Sequence, residues 1–397
     1  MNLSKVRKFF SGRRGQFGRI EAALRDESAP IIWVHSASYG EFEEARPVLA
    51  AIRAARPEYR FLVTFFSPSG YEFLKNDPDI DYVFYLPLDT RRNARRFLDL
   101  VRPERMILSI SDYWLHFLHE LRRRQIPAYL VSGRFLPSMI YFKPIGRMYL
   151  NTLRTCFTRI IVHSESSLRV LEAAGLQNGM LVGDPRMDRV AELAREPWSD
   201  ALVERWCGGE KVFVAGSTLP DEDDECIIAA ANAHPGDKFM IIPHEQLPSE
   251  MDHLCAAIHG KVIRYTDPGE SPEDAQVLIV DTVGMLSRLY RYGFAAFVGA
   301  GFNGESVHSV IEPAVYGIPV AFGPIFGTQL HCGNLVAAGA ASAVHNPQEF
   351  CDWYGRLKAD PGLLAAMGEA AASYCRQGSG VAEAIAKEVL SDSHQTA

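Results

Sequence analysis

Residues 31–41, Ile-Ile-Trp-Val-His-Ser-Ala-Ser-Tyr-Gly-Glu, decide how this chain is read. The run Ile31 to His35 has the apolar density of a buried strand, small residues follow, and a helical pattern then runs from Glu41 to Arg56. A strand that ends in a small-residue loop and opens onto a helix presents backbone N–H groups and polar side chains to an anionic ligand. A comparable place in the second half holds Gly299-Ala300-Gly301, followed by His308-Ser309-Val310-Ile311-Glu312-Pro313.

Outward from residue 31 the apolar runs recur with helical stretches between them. Strands are expected at Arg60 to Phe66, Tyr82 to Leu86, Arg105 to Ile110, Ala128 to Ser132 and Ile160 to His163, with helices at Thr90 to Val101, Asp112 to Arg124 and Ser166 to Ala174. The second half repeats the alternation: strands at Lys211 to Ala215, Lys238 to Ile242, Lys261 to Tyr265, Val277 to Val280, Ala295 to Gly299 and Pro319 to Phe322, helices from Asp221, Gly284 and His308. Such alternation builds a parallel sheet covered on both faces. The reading is therefore α/β, with two facing Rossmann-like domains and a cleft between them, as in nucleotide-sugar transferases of the GT-B type. Pro197 and Gly208-Gly209 mark the boundary. We expect a basic membrane-proximal segment at 1–20, an N-terminal domain at 21–195, a linker at 196–209, a C-terminal domain at 210–375, and a helix and polar tail at 376–397. The helical stretch Pro361 to Leu390 is expected to cross back to the first domain.

Composition narrows the function classes. With 397 residues, 47% of them hydrophobic, the chain can fill two cores. Seven cysteines without a C-x-x-C pair argue for a reducing compartment and against a zinc site. No run reaches the roughly 18 apolar residues of a membrane span, and no signal-peptide pattern opens the chain. The net charge of −7 hides a split: residues 1–195 carry 30 Lys and Arg against 21 Asp and Glu, and the remainder carries 11 against 27. The basic half should face something anionic. Lys5, Arg7, Lys8, Arg13, Arg14 and Arg19, interleaved with Phe9, Phe10, Phe17 and Ile20, suit an anionic membrane surface, with a solvated basic tail as the alternative.

Several ordered strings resemble those of the 3-deoxy-D-manno-octulosonic acid (Kdo) transferases of lipopolysaccharide synthesis. They are His35 to Glu41, Thr64 to Gly70, Arg134, Gly183 to Asp188, Gly216-Ser217-Thr218, Val280 to Gly284 and Phe297 to Pro324. The resemblance implies transfer of Kdo from CMP-Kdo to the lipid A precursor (lipid IVA), with inversion at the anomeric carbon, no cofactor and no required metal. It implies a protein peripheral to the cytoplasmic face of the inner membrane, with no nucleic acid among its partners. Many relatives carry an N-terminal hydrophobic anchor, and this chain begins after the place where such a segment would lie.

On that resemblance Glu41 is the catalytic base, at a turn where Gly40 leaves room for a ligand. His35, Ser38, Ser67, Gly70, Asp112 and Arg134 are the acceptor-side candidates, the other readings being a hydrogen-bonded core residue for His35, a cap on the helix from Tyr71 for Ser67 and Gly70, and a surface salt bridge for Arg134. Asp112 is the carboxylate left in Ser109 to Trp114, where many relatives carry two glutamates before Leu-Trp-Pro. Glu43 and Glu44 read as ordinary first-turn charges that complement the helix dipole. On the donor side, Gly299 and Gly301 permit close backbone approach, and a helix from His308 directs its positive end and the Ser309 hydroxyl at a phosphate. Glu312 is placed to accept from ribose hydroxyls. Ser217 and Thr218 read as opening a helix, His244 stands where many relatives have an arginine, and Gly323 and Gln329 should face the Kdo moiety. Two other readings stand beside this one: a GT-B transferase or epimerase using another nucleotide sugar, and an inert relative that binds the lipid A precursor.

Overall fold

The computed structural model describes residues 11–110, 112–304, 306–327 and 329–391. Residues 1–10 of the expected basic segment, and Ser111, Glu305 and Thr328, lie outside the described residues. The chain forms two compact units, Met1–Asp188 with Gly380–Ala397, and Arg189–Ser379.

The first unit is built on β1 (Ile31–Ser36), β2 (Arg60–Phe65), β3 (Tyr82–Tyr85), β4 (Arg105–Ser109), β5 (Ala128–Gly133), β6 (Arg159–Val162) and β7 (Gly179–Leu181). All run parallel in the order β3-β2-β1-β4-β5-β6-β7. Side chains alternate between the faces of a strand. Trp33 therefore joins Leu62, Met106 and Leu130 in the core on one side, while Ile32 and Val34 join Val63, Ile107 and Val131 on the other. Burial on both faces explains why these strands read as continuous apolar runs.

The second unit carries β8 (Val212–Thr218), β9 (Phe239–Pro243), β10 (Val262–Arg264), β11 (Val277–Ile279), β12 (Gly293–Val298), β13 (Val320–Phe322) and β14 (Ala341–Ala343). Its sheet is also fully parallel, in the order β10-β11-β9-β8-β12-β13-β14. Strand addition reverses direction at β1/β4 in one sheet and at β8/β12 in the other. Open α/β sheets bind ligands beyond the carboxyl ends of strands at such switch points.

Every expected strand is present; β7 and β14, three-residue strands at the sheet edges, were not anticipated. The stretch 196–209 contains the helix Ala201–Cys207, whose Val203 and Trp206 are buried in the second unit's core. The stretch 361–390 is two helices, Pro361–Gln377 and Val381–Leu390, parted at Gly380, which sits in the left-handed region at φ 85°. The second of these belongs to the first unit, where Val381, Ile385 and Val389 are buried against Ile32 and Val34.

Of segment 1–20, residues 11–20 are described; part of them packs on the first unit, and Arg14 and Arg19 stay exposed. The helix Gln16–Ala23 buries Ile20 and Gln16. Arg13 donates from Nε to the Leu86 carbonyl and from Nη2 to the Phe66 carbonyl, both at 2.9 Å, and lies over the Phe66 and Tyr85 rings. Burial lowers its pKa to about 10. These side chains are spent on the first unit's own core. No helix among the described residues is long and apolar enough to cross a membrane.

The returning helix is held at its start by Asp188, which accepts from the backbone N–H groups of Gly380 and Ala382, each at 2.6 Å. Asp188→Ala removes that cap and should cost about 1–2 kcal/mol. Native-state hydrogen exchange should show residues 381–390 losing protection ahead of the sheets; unchanged protection there would refute the assignment.

Candidate functional site

In the first unit the site residues gather at the carboxyl ends of β1 and β4. Ser38 caps the helix Tyr39–Ala55, its hydroxyl accepting from the Glu41 N–H at 3.5 Å. Glu41 reaches back, and its Oε2 accepts from the Ala37 N–H at 2.7 Å. This reciprocal pair satisfies one orphan donor of the helix start, the Glu41 N–H, and fixes the residue before the cap. Ser109 fixes the same turn from β4 by donating to the Glu41 carbonyl at 2.6 Å. The Glu41 carboxyl is half-buried, and burial raises its pKa; the Ala37 N–H opposes the rise and the Asp112 charge adds to it. Asp112 is itself raised by burial and has φ 77°, while Ile110 has φ 64°. A β-branched residue in the left-handed region is a strained position, of the kind that clusters at ligand sites. Gly40 is exposed, and a Cβ there would meet open space.

His35 lies beneath this site, as the hydrogen-bonded core residue of its two readings and not as a contact to acceptor. It is fully buried and both ring nitrogens are engaged. Trp114 Nε1 donates to His35 Nε2 at 2.9 Å, which places the ring proton on Nδ1, 3.0 Å from the Thr64 carbonyl. Thr64 Oγ1 accepts in turn from Trp33 Nε1 at 2.8 Å. Burial drives the His35 pKa down to about 3, so the ring is a neutral strut. Gly70 is also a packing residue, because a Cβ would come within 2.2 Å of the Phe65 ring. Ser67 caps the helix Pro68–Leu74 through the Ser69 N–H. Arg134 follows β5 and is half-buried.

Glu44 corrects the reading of the first helical turn. It lies one turn beyond Glu41, and burial pushes it up to about 7, opposed by Arg186 and reinforced by Asp184 and Glu41. Arg186 stands 3.7 Å from Glu44 and 2.6 Å from the buried Asp184. Glu43 alone keeps the bland role, pairing with Arg46 at 2.9 Å. Periodicity could have flagged Glu44, since it shares a helix face with Glu41 and not with solvent.

In the second unit the donor candidates collect where β8 and β12 end. Asp223 clamps both loops: its Oδ2 accepts from the Leu219 and Ala300 N–H groups at 2.8 Å each. Ser217 and Ala300 have φ 53° and 75°, so this switch point is strained as well. The glycines serve contacts within the protein. A Cβ on Gly299 would fall 2.0 Å from the Ser217 carbonyl oxygen, and one on Gly323 would fall 2.5 Å from the Gly301 backbone. Ser217 and Thr218 end β8 and do not open a helix, which starts at Glu222; Thr218 is fully buried. The helix expected from His308 is a single turn, Ile311–Ala314. Pro313 weighs against the longer helix, because it lacks the N–H that would bond the Ser309 carbonyl in a helix starting at 308. Its dipole contribution is correspondingly small.

The His308 ring stacks on His244, centroids 4.3 Å apart, and burial with the neighbouring ring lowers its pKa to about 4. Its Nε2 is buried without a hydrogen-bond partner among the described residues. Ser309 is half-buried just before the helical turn. Glu312 Oε2 accepts from Ser287 Oγ at 2.6 Å. Gln329 donates to the Val307 carbonyl at 3.4 Å. Among the described residues no group of three or more His, Cys, Asp or Glu is arranged to hold a metal ion.

The architecture is the two-domain α/β fold of the GT-B type, and solved structures share it. The UDP-GlcNAc 2-epimerase from Neisseria meningitidis bound to UDP-GlcNAc matches at TM-score 0.66 and 13% identity, covering 91% of this chain and 99% of its own. MurG from Acinetobacter baumannii matches at TM-score 0.55 and 10% identity with the same coverage. Residues 11–189 match the family described as 3-Deoxy-D-manno-octulosonic-acid transferase (kdotransferase). Curated 3-deoxy-D-manno-octulosonic acid transferases are similar along most of the chain. The protein from Bordetella pertussis is 26% identical over 379 residues, 90% of this chain and 86% of the relative. That from Chlamydia trachomatis serovar A is 27% identical over 343 residues, 81% and 76%. That from Haemophilus influenzae is 26% identical over 302 residues, 74% and 70%. The chain is thus similar to these transferases along most of its length, and to the family model over residues 11–189.

Glu250, which no sequence signal marked, and Asp224, in the acidic first turn of the helix Glu222–Ala233, form a second carboxylate pair close to β8. Asp224 and Glu250 are 1% and 5% exposed, and none of their four oxygens has a partner among the described residues. Burial and the charges of Glu250, Asp223 and Asp221 push Asp224 up to about 8; burial, Asp223 and Glu245 push Glu250 up to about 7. A carboxyl raised on folding keeps a proton that the unfolded chain gives up, so stability falls as pH rises from about 4 to about 8. Asp224→Asn should match the parent near pH 4 and exceed it at pH 8, by on the order of 2–3 kcal/mol in urea unfolding. Equal stability of the two proteins at pH 8 would contradict the burial argument.

Proposed function

We propose that this protein transfers Kdo from CMP-Kdo to the lipid A precursor at the cytoplasmic face of the inner membrane, as a peripheral protein, inverting the anomeric centre. The observation that carries the reading is the Glu41 carboxyl. It is held at one oxygen by the Ala37 N–H and made more basic by burial and by Asp112, at the switch point of the first sheet. In the proposed reaction Glu41 takes the proton of an acceptor hydroxyl as that oxygen attacks the anomeric carbon. The bond from that carbon to the CMP phosphate oxygen breaks, and CMP leaves with the electron pair.

Ser217, Ser309 and the stacked pair His244 and His308 supply hydroxyl and imidazole groups suited to the departing phosphate, and Glu312 suits ribose hydroxyls. Nucleotide-sugar use is supported by the likeness to the Kdo transferases. Asp112 and Arg134 are the acceptor-side groups in this reading, with Ser38 and Gly40 shaping the turn.

Mass spectrometry of the lipid product tests it directly. The parent protein, given CMP-Kdo and tetra-acylated precursor in detergent, should yield product heavier by one or more Kdo units. Glu41→Gln should lower the rate by at least about 100-fold while donor binding persists. Activity of the glutamine variant within a few-fold of the parent would remove Glu41 from the role of base.

A further inference from the structure

Glu41 and Glu44 stand three residues apart on the helix Tyr39–Ala55, so their side chains leave the same face one turn from each other. The Glu44 side chain is 12% exposed, against 30% for Glu43, which turns to Arg46. A carboxyl set that deep needs a counter-charge, and the segment after β7 brings one in Arg186, the first residue of the helix Arg186–Arg195. That guanidinium is already committed to the buried Asp184. Its Nε lies 3.1 Å from both Asp184 oxygens and its Nη2 2.6 Å from Oδ2, while Oδ1 also accepts from the Arg186 N–H at 2.9 Å. Glu44 is left with an approach of 3.7 Å, beyond hydrogen-bond reach.

One guanidinium thus faces three carboxyls, Glu41, Glu44 and Asp184, and the Asp112 charge bears on Glu41 as well. The other elements packed on this helix bring no cation to the cluster. On the helix Val381–Leu390, Glu383 and Lys387 are exposed and Glu388 pairs with Arg159 at 2.9 Å. Beside the helix Pro68–Leu74, Glu72 pairs with Lys75 at 2.7 Å. His35 of β1 is neutral, and β4 and β5 carry the uncharged Ser109 and Ser132 at that end. Burial pushes Glu44 up to about 7, with Arg186 opposing and Asp184 and Glu41 adding to the rise. Repulsion between two carboxyls is reciprocal. What holds a proton on Glu44 while Glu41 is charged makes Glu41 readier to take one once Glu44 is charged.

We infer that Glu44 is a positioning residue for the base: ionised, it raises the basicity of Glu41, and protonated, it withdraws that help, so the first unit carries a pH switch one turn behind Glu41. Its bearing on transfer rests on the function proposed above; the coupling of the two carboxyls is a property of the first unit and is tested separately.

Two measurements on the full chain make the test. Carbon-13 NMR of protein labelled at the glutamate carboxyl, with both resonances assigned from Glu41→Gln and Glu44→Gln, reads the coupling. The Glu44 midpoint should fall by about half a pH unit or more in Glu41→Gln. An unmoved midpoint overturns the inference. The second measurement follows kcat with CMP-Kdo and detergent-dispersed acceptor as pH rises from about 6 to about 8.5. The parent should climb through an inflection at the Glu44 midpoint. Glu44→Gln should lose that inflection and run about threefold slower at the alkaline end, with KM for CMP-Kdo unmoved, and Glu44→Asp should restore it. A parent-like profile in Glu44→Gln also overturns the inference. Absence of transfer by the parent at every pH speaks against the proposed reaction instead, and the NMR midpoints then decide the coupling by themselves.

Discussion

Each sheet must reverse its direction of strand addition somewhere, and the rest of the structure depends on where it does. At β1/β4 and β8/β12 the crossover helices depart to opposite sides, so the carboxyl ends of those strands are left without a helix above them. The backbone there takes conformations that side chains resist: Ile110, Asp112, Ser217 and Ala300 all have positive φ. A carboxylate disciplines each place. Asp223 ties the loops after β8 and β12 through two backbone N–H groups and is buried. Glu41 ties the turn at Ala37 and Ser38 and stays half-exposed with its pKa raised. The same structural task thus leaves one carboxylate fully committed and the other with basicity to spare.

Much of this was legible in the sequence because strands buried on both faces have to be apolar throughout. β7 and β14 escaped since they are edge strands of three residues, with Leu181 exposed and only small residues in Ala341–Ala343. The helix expected at His308 failed on a signal that was present, the missing N–H of Pro313. Composition does not say which partner a guanidinium will find: Arg13 of the basic segment meets two backbone carbonyls of its own unit, while Arg14 and Arg19 stay exposed.

Site residues were harder to sort than strands. Position along the chain brought Glu41, Ser38, Asp112 and the β8 and β12 loops to their sheet edges correctly, because a residue after an apolar run must lie at the end of a strand. Which way each side chain points was not legible. His35 continues the alternation of β1 inward, where Trp114 and Thr64 saturate it, and Gly70 yields its space to Phe65. Glu44 looked like a surface charge until the chain from Gly183 to Asp188 placed Asp184 and Arg186 against it.

In the proposed reaction the two switch points divide the labour, a base on the first sheet and nucleotide recognition on the second. Hydrogen exchange of the intact protein with and without CMP measures that division most directly, because amides that close around a ligand gain protection. Slower exchange is expected at 216–219, 243–244, 299–301 and 308–312, with residues 35–41 and 109–114 unchanged. Protection confined to the first unit, with the ends of β8 and β12 unaffected by saturating CMP, would contradict it.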